Sequence, residues 1–170
     1  MLKAVPATVV LLAACSQVTA PVTPRPPAAA RADVTLRNVT VRQYRGSELR
    51  MVATSPRLEL ARDSNDFTAV DAGVLLKRTG VTVLAQQVIG NSATQDATGS
   101  GGVLFLGNDG TVGRTPTATY QRALSTEGGA FSDAGVTVEH PRFWLEATGF
   151  FADLSDQRVL FDRPVTRTKE

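Results

Sequence analysis

Few side chains in this 170-residue sequence are equipped for chemistry: there is one histidine, His140, and one cysteine, Cys15. Any Ser-His-Asp or Cys-His arrangement would have to use His140. Pro141 follows it directly and biases it toward an extended or turn conformation, so it reads as a solvated strand-end histidine. One histidine and one cysteine also leave no transition-metal cluster. Asp63-Ser-Asn-Asp66 begins like a calcium loop. Counting from Asp63, however, the sixth position, which needs glycine, is Thr68, and the twelfth, which needs a bidentate glutamate, is Val74. It reads as a turn. Gly99-Ser-Gly-Gly102 lacks the lysine and following helix of a phosphate loop and reads as a flexible hairpin connection. Trp144, between Phe143 and Leu145, marks either a binding face or the covered end of a core. With no catalytic set, metal site or cofactor motif, the residues point to a non-enzymatic protein.

Cys15 is different because of what precedes it. Met1, Leu2 and Lys3 open the chain, a largely apolar run follows from Ala4 to Ala14, and the run ends Leu12-Ala13-Ala14-Cys15. A short positive start, an apolar stretch and small residues at its end have the organisation of a secretory signal. The run is about half the ~20 apolar residues that a bilayer-spanning helix needs. Leu-Ala-Ala-Cys resembles the bacterial lipobox, which implies a signal peptide over residues 1–14 and Cys15 as the lipidated first residue of the mature chain. The implied anchor is a set of fatty acyl chains such as palmitate. Each buried CH₂ contributes about 0.8 kcal/mol, so two or three chains hold a protein stably at a membrane without spanning it. Residues 16–31 carry four prolines and little to bury. As polyproline II at about 3.1 Å per residue, a tether over residues 15–31 reaches roughly 50 Å at most.

The rest, residues 32–170, suits one domain with a sizeable core. Removing the signal deletes Lys3, leaving 17 basic against 16 acidic residues, spread along the chain rather than blocked. No basic patch or stripe for nucleic acid is visible.

Periodicity then sets the fold class. Val34-Thr-Leu-Arg-Asn-Val-Thr-Val41, Val81-Thr-Val83, Gly102-Val-Leu-Phe-Leu106, Gly135-Val-Thr-Val138 and Arg158-Val-Leu-Phe161 alternate like strands, and no sustained helical spacing is present. Between them stand turn signals: Arg45-Gly46, Asp63 to Asp66, Asp71-Ala-Gly73, Thr98 to Gly102, Gly107 to Gly110, Glu127 to Gly129, Asp133-Ala-Gly135 and Leu154 to Asp156. They predict chain reversals about every ten residues. An internal period accompanies them, with Ala53, Ala85, Ala118 and Ala147 at separations of 32, 33 and 29, each followed by a strand valine, Val74, Val103, Val136 or Val165. Units of about thirty residues cannot bury their own apolar faces, so they must stack into an elongated shared core. The prediction is an all-β domain of stacked antiparallel hairpins.

Three stretches carry a more specific resemblance: Val41 to Leu60, with its glycine turn and strand to alanine; the repeated small residue, polar turn and Gly-Val strand; and Leu145 to Phe161, like a closing hairpin. Together they resemble the OstA-like β-jelly-roll family, and within it the LptC family of lipopolysaccharide export bridge proteins. The departure is the anchor, since better-known members keep a transmembrane helix where this chain has a lipobox. The resemblance implies an elongated, twisted jelly roll facing the periplasm. It also implies a groove for the acyl chains of lipopolysaccharide, and edge-strand pairing to a periplasmic OstA-like bridge protein and an export ABC transporter. The family's role favours the inner membrane, whereas Ser16 after the cysteine leaves an outer-membrane address open.

Alternation supplies the inward candidates for such a groove: Val81, Val83, Val103, Phe105, Val136, Val138, Phe143, Leu145, Val159 and Phe161. The same residues would also build an ordinary core. The predicted edges are Val34 to Tyr44 and Val159 to Thr168. Near the latter, Arg163, Arg167 and Lys169 could meet lipid phosphates, or, with Pro164, simply guard the edge against aggregation.

Overall fold

Short alternating runs can bury their apolar positions by pairing into a sheet, where every second side chain shares a face. A computed structural model describes residues 34–61 and 63–169 and shows that arrangement: thirteen antiparallel strands in one open, curled sheet, with no α-helix among the described residues. The architecture is all-β and jelly-roll-like. The predicted signal peptide over residues 1–14, Cys15 and the predicted tether over residues 15–31 lie outside the described residues.

Five long strands form a meander: β1 (Val34–Arg45), β2 (Glu48–Leu60), β3 (Asp66–Leu76), β4 (Val81–Asn91) and β5 (Asp96–Leu106). Eight short strands follow: β6 (Val112–Thr115), β7 (Ala118–Gln121), β8 (Gly129–Ser132), β9 (Val136–Glu139), β10 (Phe143–Ala147), β11 (Gly149–Asp153), β12 (Arg158–Asp162) and β13 (Val165–Thr168). At β5 the sheet forks. Residues 103–106 pair with β6, which continues to β9, β10 and β13, while residues 97–99 pair with β7, which continues to β8, β11 and β12.

The fork explains the periodicity. β6 with β7, β8 with β9, β10 with β11 and β12 with β13 are each one crossing of the sheet, interrupted in the middle. The long strands are interrupted at the same level. Their ladders lapse around Asn38, Ser55-Pro56, Asp71, Gln86 and Gly101-Gly102. In alternate crossings the break carries a positive φ, at Asn38 (51°), Asp71 (47°), Gly101 (77°), Gly102 (92°), Gly135 (81°) and Arg163 (49°). Glycine, and to a lesser degree Asn and Asp, tolerate this region, so these types mark the bend. The line of breaks divides the sheet into two leaves.

Leaf one contains residues 34–37, 57–60, 66–70, 87–91 and 96–100 with β7, β8, β11 and β12. Leaf two contains residues 39–45, 48–54, 72–76, 81–85 and 103–106 with β6, β9, β10 and β13. The thirty-residue repeat is a pair of crossings, which is why Ala53, Ala85, Ala118 and Ala147 fall in every second one. Three expected reversals require correction. Asp71-Ala-Gly73 lies within β3, Thr98 to Gly102 within β5 rather than in a hairpin connection, and Asp133-Ala-Gly135 joins β8 to β9. Positive-φ residues there carry the chain from one leaf to the other instead of turning it back.

Candidate functional site

Strand register decides which side chains share the concave face. On leaf two, Ala53 lies opposite Val74, Val74 opposite Val83, Val83 opposite Phe105, Phe105 opposite Gly113, Gly113 opposite Val138 and Val138 opposite Leu145. On leaf one, Leu58 lies opposite Ala69, Ala69 opposite Val88, Val88 opposite Gly99, and Gly99 opposite Ala118. Farther along, Ala130 faces Ala152, and Phe150 faces Phe161. All ten residues predicted to point inward belong to this one face. Phe105 of leaf two meets Phe150 of leaf one edge-on, with ring centroids 5.5 Å apart, so the two rows face each other across the bend.

Burial falls off with distance from the bend. Ser55, Ala69, Ala72, Ala85, Thr115 and Ser132 are buried beside it, and Val103 is 1% exposed. One step farther out, Val74, Val83, Phe105, Val138, Ala130 and Ala152 are half-buried. At the rims Phe143 is 37% and Val159 50% exposed. The concave face is therefore an apolar trough, filled along its floor and open toward its margins. Its polar groups are satisfied by local bonds: Thr115 Oγ1 donates to the Gly135 carbonyl at 2.7 Å, and Ser55 Oγ to the Val70 carbonyl at 2.6 Å.

Two features of this face were not visible in the residue pattern. Phe150 is 6% exposed and central to the cluster of Val136, Leu145 and Ala147. The Phe150-Phe151 pair follows the Thr148 break, so alternation could not say which ring points in. Small residues hide the leaf-one rows as well. Gly90, across from Phe67, leaves room that the phenyl ring occupies, and a β-carbon on Gly90 would stand 2.6 Å from that ring and 2.5 Å from the Asp96 carbonyl oxygen.

A search of protein-family models and of curated proteins finds no match to this chain.

The mouth of the trough is spanned by polar contacts between hairpin tips. Arg78, in the β3–β4 turn at the free end of leaf two, donates from Nη1 to Glu127 Oε2 at 2.8 Å and from Nη2 to the Ser155 carbonyl at 2.7 Å. With its amide oxygen turned toward the guanidinium, Gln157 accepts from Nε at 2.9 Å and Nη2 at 3.0 Å. Glu127 and Ser155 belong to the far loops of leaf one, and Arg45 reaches Glu127 at 3.4 Å. Tyr120 braces the Glu127 loop by donating to its carbonyl at 3.1 Å, and burial pushes the phenol above its ordinary value, so it keeps that proton at neutral pH. One guanidinium thus ties both leaves together. A double-mutant cycle of Arg78→Ala and Glu127→Gln is expected to show about 0.5–1 kcal/mol of coupling in denaturant unfolding, since the pair is partly screened by solvent. Strictly additive losses would mean that the tie does not form.

The remaining sites are peripheral. His140 follows β9, accepts from the Arg142 backbone N–H at Nδ1 (3.1 Å) and stacks on Phe143, as a strand-end residue does. Trp144 faces the convex side under the Arg167 guanidinium, 5.5 Å from its ring centroid. Also on that side, Lys169 and Arg114 donate to Glu139 at 3.3 and 3.2 Å and hold its carboxyl below its ordinary value. That contribution to stability is present above pH 4.5 and is lost as pH falls through the lowered value. A cleft of about 440 Å³ lies at the bend, lined by the outward-facing Leu104, Arg114, Thr137 and Glu146 together with Val103, Thr115, Val136 and Ala147 of the trough floor. Asp63 to Asn65 forms a turn, and no group of potential metal ligands occurs among the described residues.

Proposed function

We propose that this chain is a lipid-anchored, periplasm-facing carrier in lipopolysaccharide export, accepting acyl chains on its concave face and passing them along a protein bridge. The observation that carries the reading is the continuous apolar row on both leaves of an open sheet whose two outer edges, β1 and β12–β13, are unpaired within the described residues. Fatty tails are recognised by a long dry surface rather than by directed polar groups, and this face has few of the latter. Free strand edges offer backbone donors and acceptors that another protein's strand can complete. Cys15 would supply the anchor, and no catalytic step is invoked.

A photocrosslinking residue placed at Val83 or Val138 is expected to give lipopolysaccharide adducts in cells, while one at the convex Thr137 gives none. Adducts with proteins alone at the inward positions would favour a second reading, a lipid-anchored assembly module that pairs through its edges without carrying lipid. The packing of Phe105 on Phe150 supports that alternative, because it fills the floor of the trough with the protein's own side chains.

A further inference from the structure

Near-neutral composition conceals a sorting of charge across the sheet. β1 holds Arg37, Arg42 and Arg45 and no acidic residue. The opposite edge, residues 158–170, holds Arg158, Arg163, Arg167 and Lys169 against Asp162 and Glu170. The stretch between, residues 46–157, holds eight basic and thirteen acidic residues. The β1 edge is therefore a cationic rim of net +3, the opposite edge one of net +2, and the body between them is net −5.

These rims are poorly neutralised. Among the described residues the ion pairs leave out Arg37, Arg42, Arg158, Arg163 and Arg167. Arg45 keeps 72% of its side chain exposed even while it reaches Glu127. Arg37 stands directly opposite Arg57 across the β1–β2 ladder, and Arg57 is itself paired with Glu59, so no carboxylate among the described residues is left to neutralise Arg37 there. Residues on the other rim are exposed beyond their charge, with Val159, Leu160 and Val165 at 50%, 52% and 56%.

We propose that both edges are docking strips for acidic β-strands of other proteins, and that their shared sign bars this chain from pairing edge to edge with copies of itself. The inference rests on the joining part of the function proposed above. Pairing places opposing side chains about 4.5–5.5 Å apart, so one rim of this chain against another sets arginine against arginine, while a strand with carboxylates at alternate positions meets opposite charge. An anionic lipid surface fits less well. The rims lie at opposite ends of the sheet order rather than on one face, and lipids offer no ladder of backbone donors and acceptors.

The test uses the full chain in non-ionic detergent and two fluorescent peptides of identical apolar alternation, one with glutamate and one with lysine at the remaining positions. At about 20 mM salt the glutamate peptide is expected to bind roughly tenfold more tightly, with the preference shrinking at about 300 mM. The double substitutions R37E/R42E and R163E/R167E are each expected to weaken it. Wild-type chains should sediment as monomers, whereas R37E/R42E chains, now with one acidic and one basic rim, should link into salt-sensitive oligomers. Equal binding of the two peptides, a preference that survives both double substitutions, or linked wild-type chains would overturn the proposal. So would binding to phosphatidylglycerol vesicles that depends on these arginines without any peptide preference. If the reversals disturb the strand signal in circular dichroism, R37Q/R42Q and R163Q/R167Q give the same peptide reading. Adduct formation at Val83 reports lipid carriage separately, so failure here and failure there are distinguishable.

Discussion

Phe150→Ala is expected to destabilise the domain by about 3–5 kcal/mol, a large part of the 5–15 kcal/mol that holds a typical domain folded. The ring is buried, packs edge-on against Phe105 and stands against Val136, Leu145 and Ala147, so truncation removes apolar contact from both leaves at once. The bent backbone limits how far neighbours can close the space, and an unfilled cavity adds to the loss. Denaturant unfolding would show a lower midpoint with an unchanged slope. A loss under about 1 kcal/mol would mean that the leaves do not rest on each other through this ring. Phe151→Ala is the control, because its partners in the ladder, Phe131 and Leu160, lie on the opposite face.

Cys15→Ser is expected to abolish incorporation of labelled palmitate and to move nearly all of the chain from the membrane fraction to the soluble one. The physical reason is multiplicity. A single acyl chain gives only marginal, reversible attachment, and stable anchoring needs a second signal, so removing every chain leaves nothing comparable. The sequence of residues 16–31, with Pro21, Pro24, Pro26 and Pro27, has too few large apolar side chains to substitute for acyl chains. Membrane retention with label still incorporated would show that lipidation occurs elsewhere. Retention without label would show that residues 1–14 themselves hold the chain.

The strands of leaf two were legible because their inward positions are large and regularly spaced: Val81 and Val83, Val103 and Phe105, Val136 and Val138. Leaf one was much less so. Its inward rows include Ala97 and Gly99 on β5, Ala118 on β7 and Ala130 on β8, residues too small to stand out against their outward neighbours. Turn residues misled for a separate reason. Asp71 and Gly135 have the positive φ that marks a reversal, but the same backbone geometry lets a strand leave one leaf and enter the other. Sequence cannot separate those uses, since both require only a residue that tolerates the left-handed region. The last predicted edge strand shows the effect plainly: Val159 to Thr168 is two strands, split where Arg163 at φ 49° meets Pro164. The basic residues of the last edge, Arg163, Arg167 and Lys169, were legible in the sequence, whereas the matching set on β1, Arg37, Arg42 and Arg45, was averaged away in the whole-chain charge.

Before β5 each crossing is a single strand of 11–13 residues, and after it each crossing is two pieces of four or five. The molecule is thus graded in compliance. At its amino end hydrogen-bonded ladders carry stiffness nearly up to the crease, while at its carboxyl end the two walls are joined by links as short as Thr148, by the aromatic and aliphatic groups wedged between them and by the Arg78 bonds to the Glu127 and Ser155 loops. The carboxyl end is therefore expected to change its width more readily than the amino end.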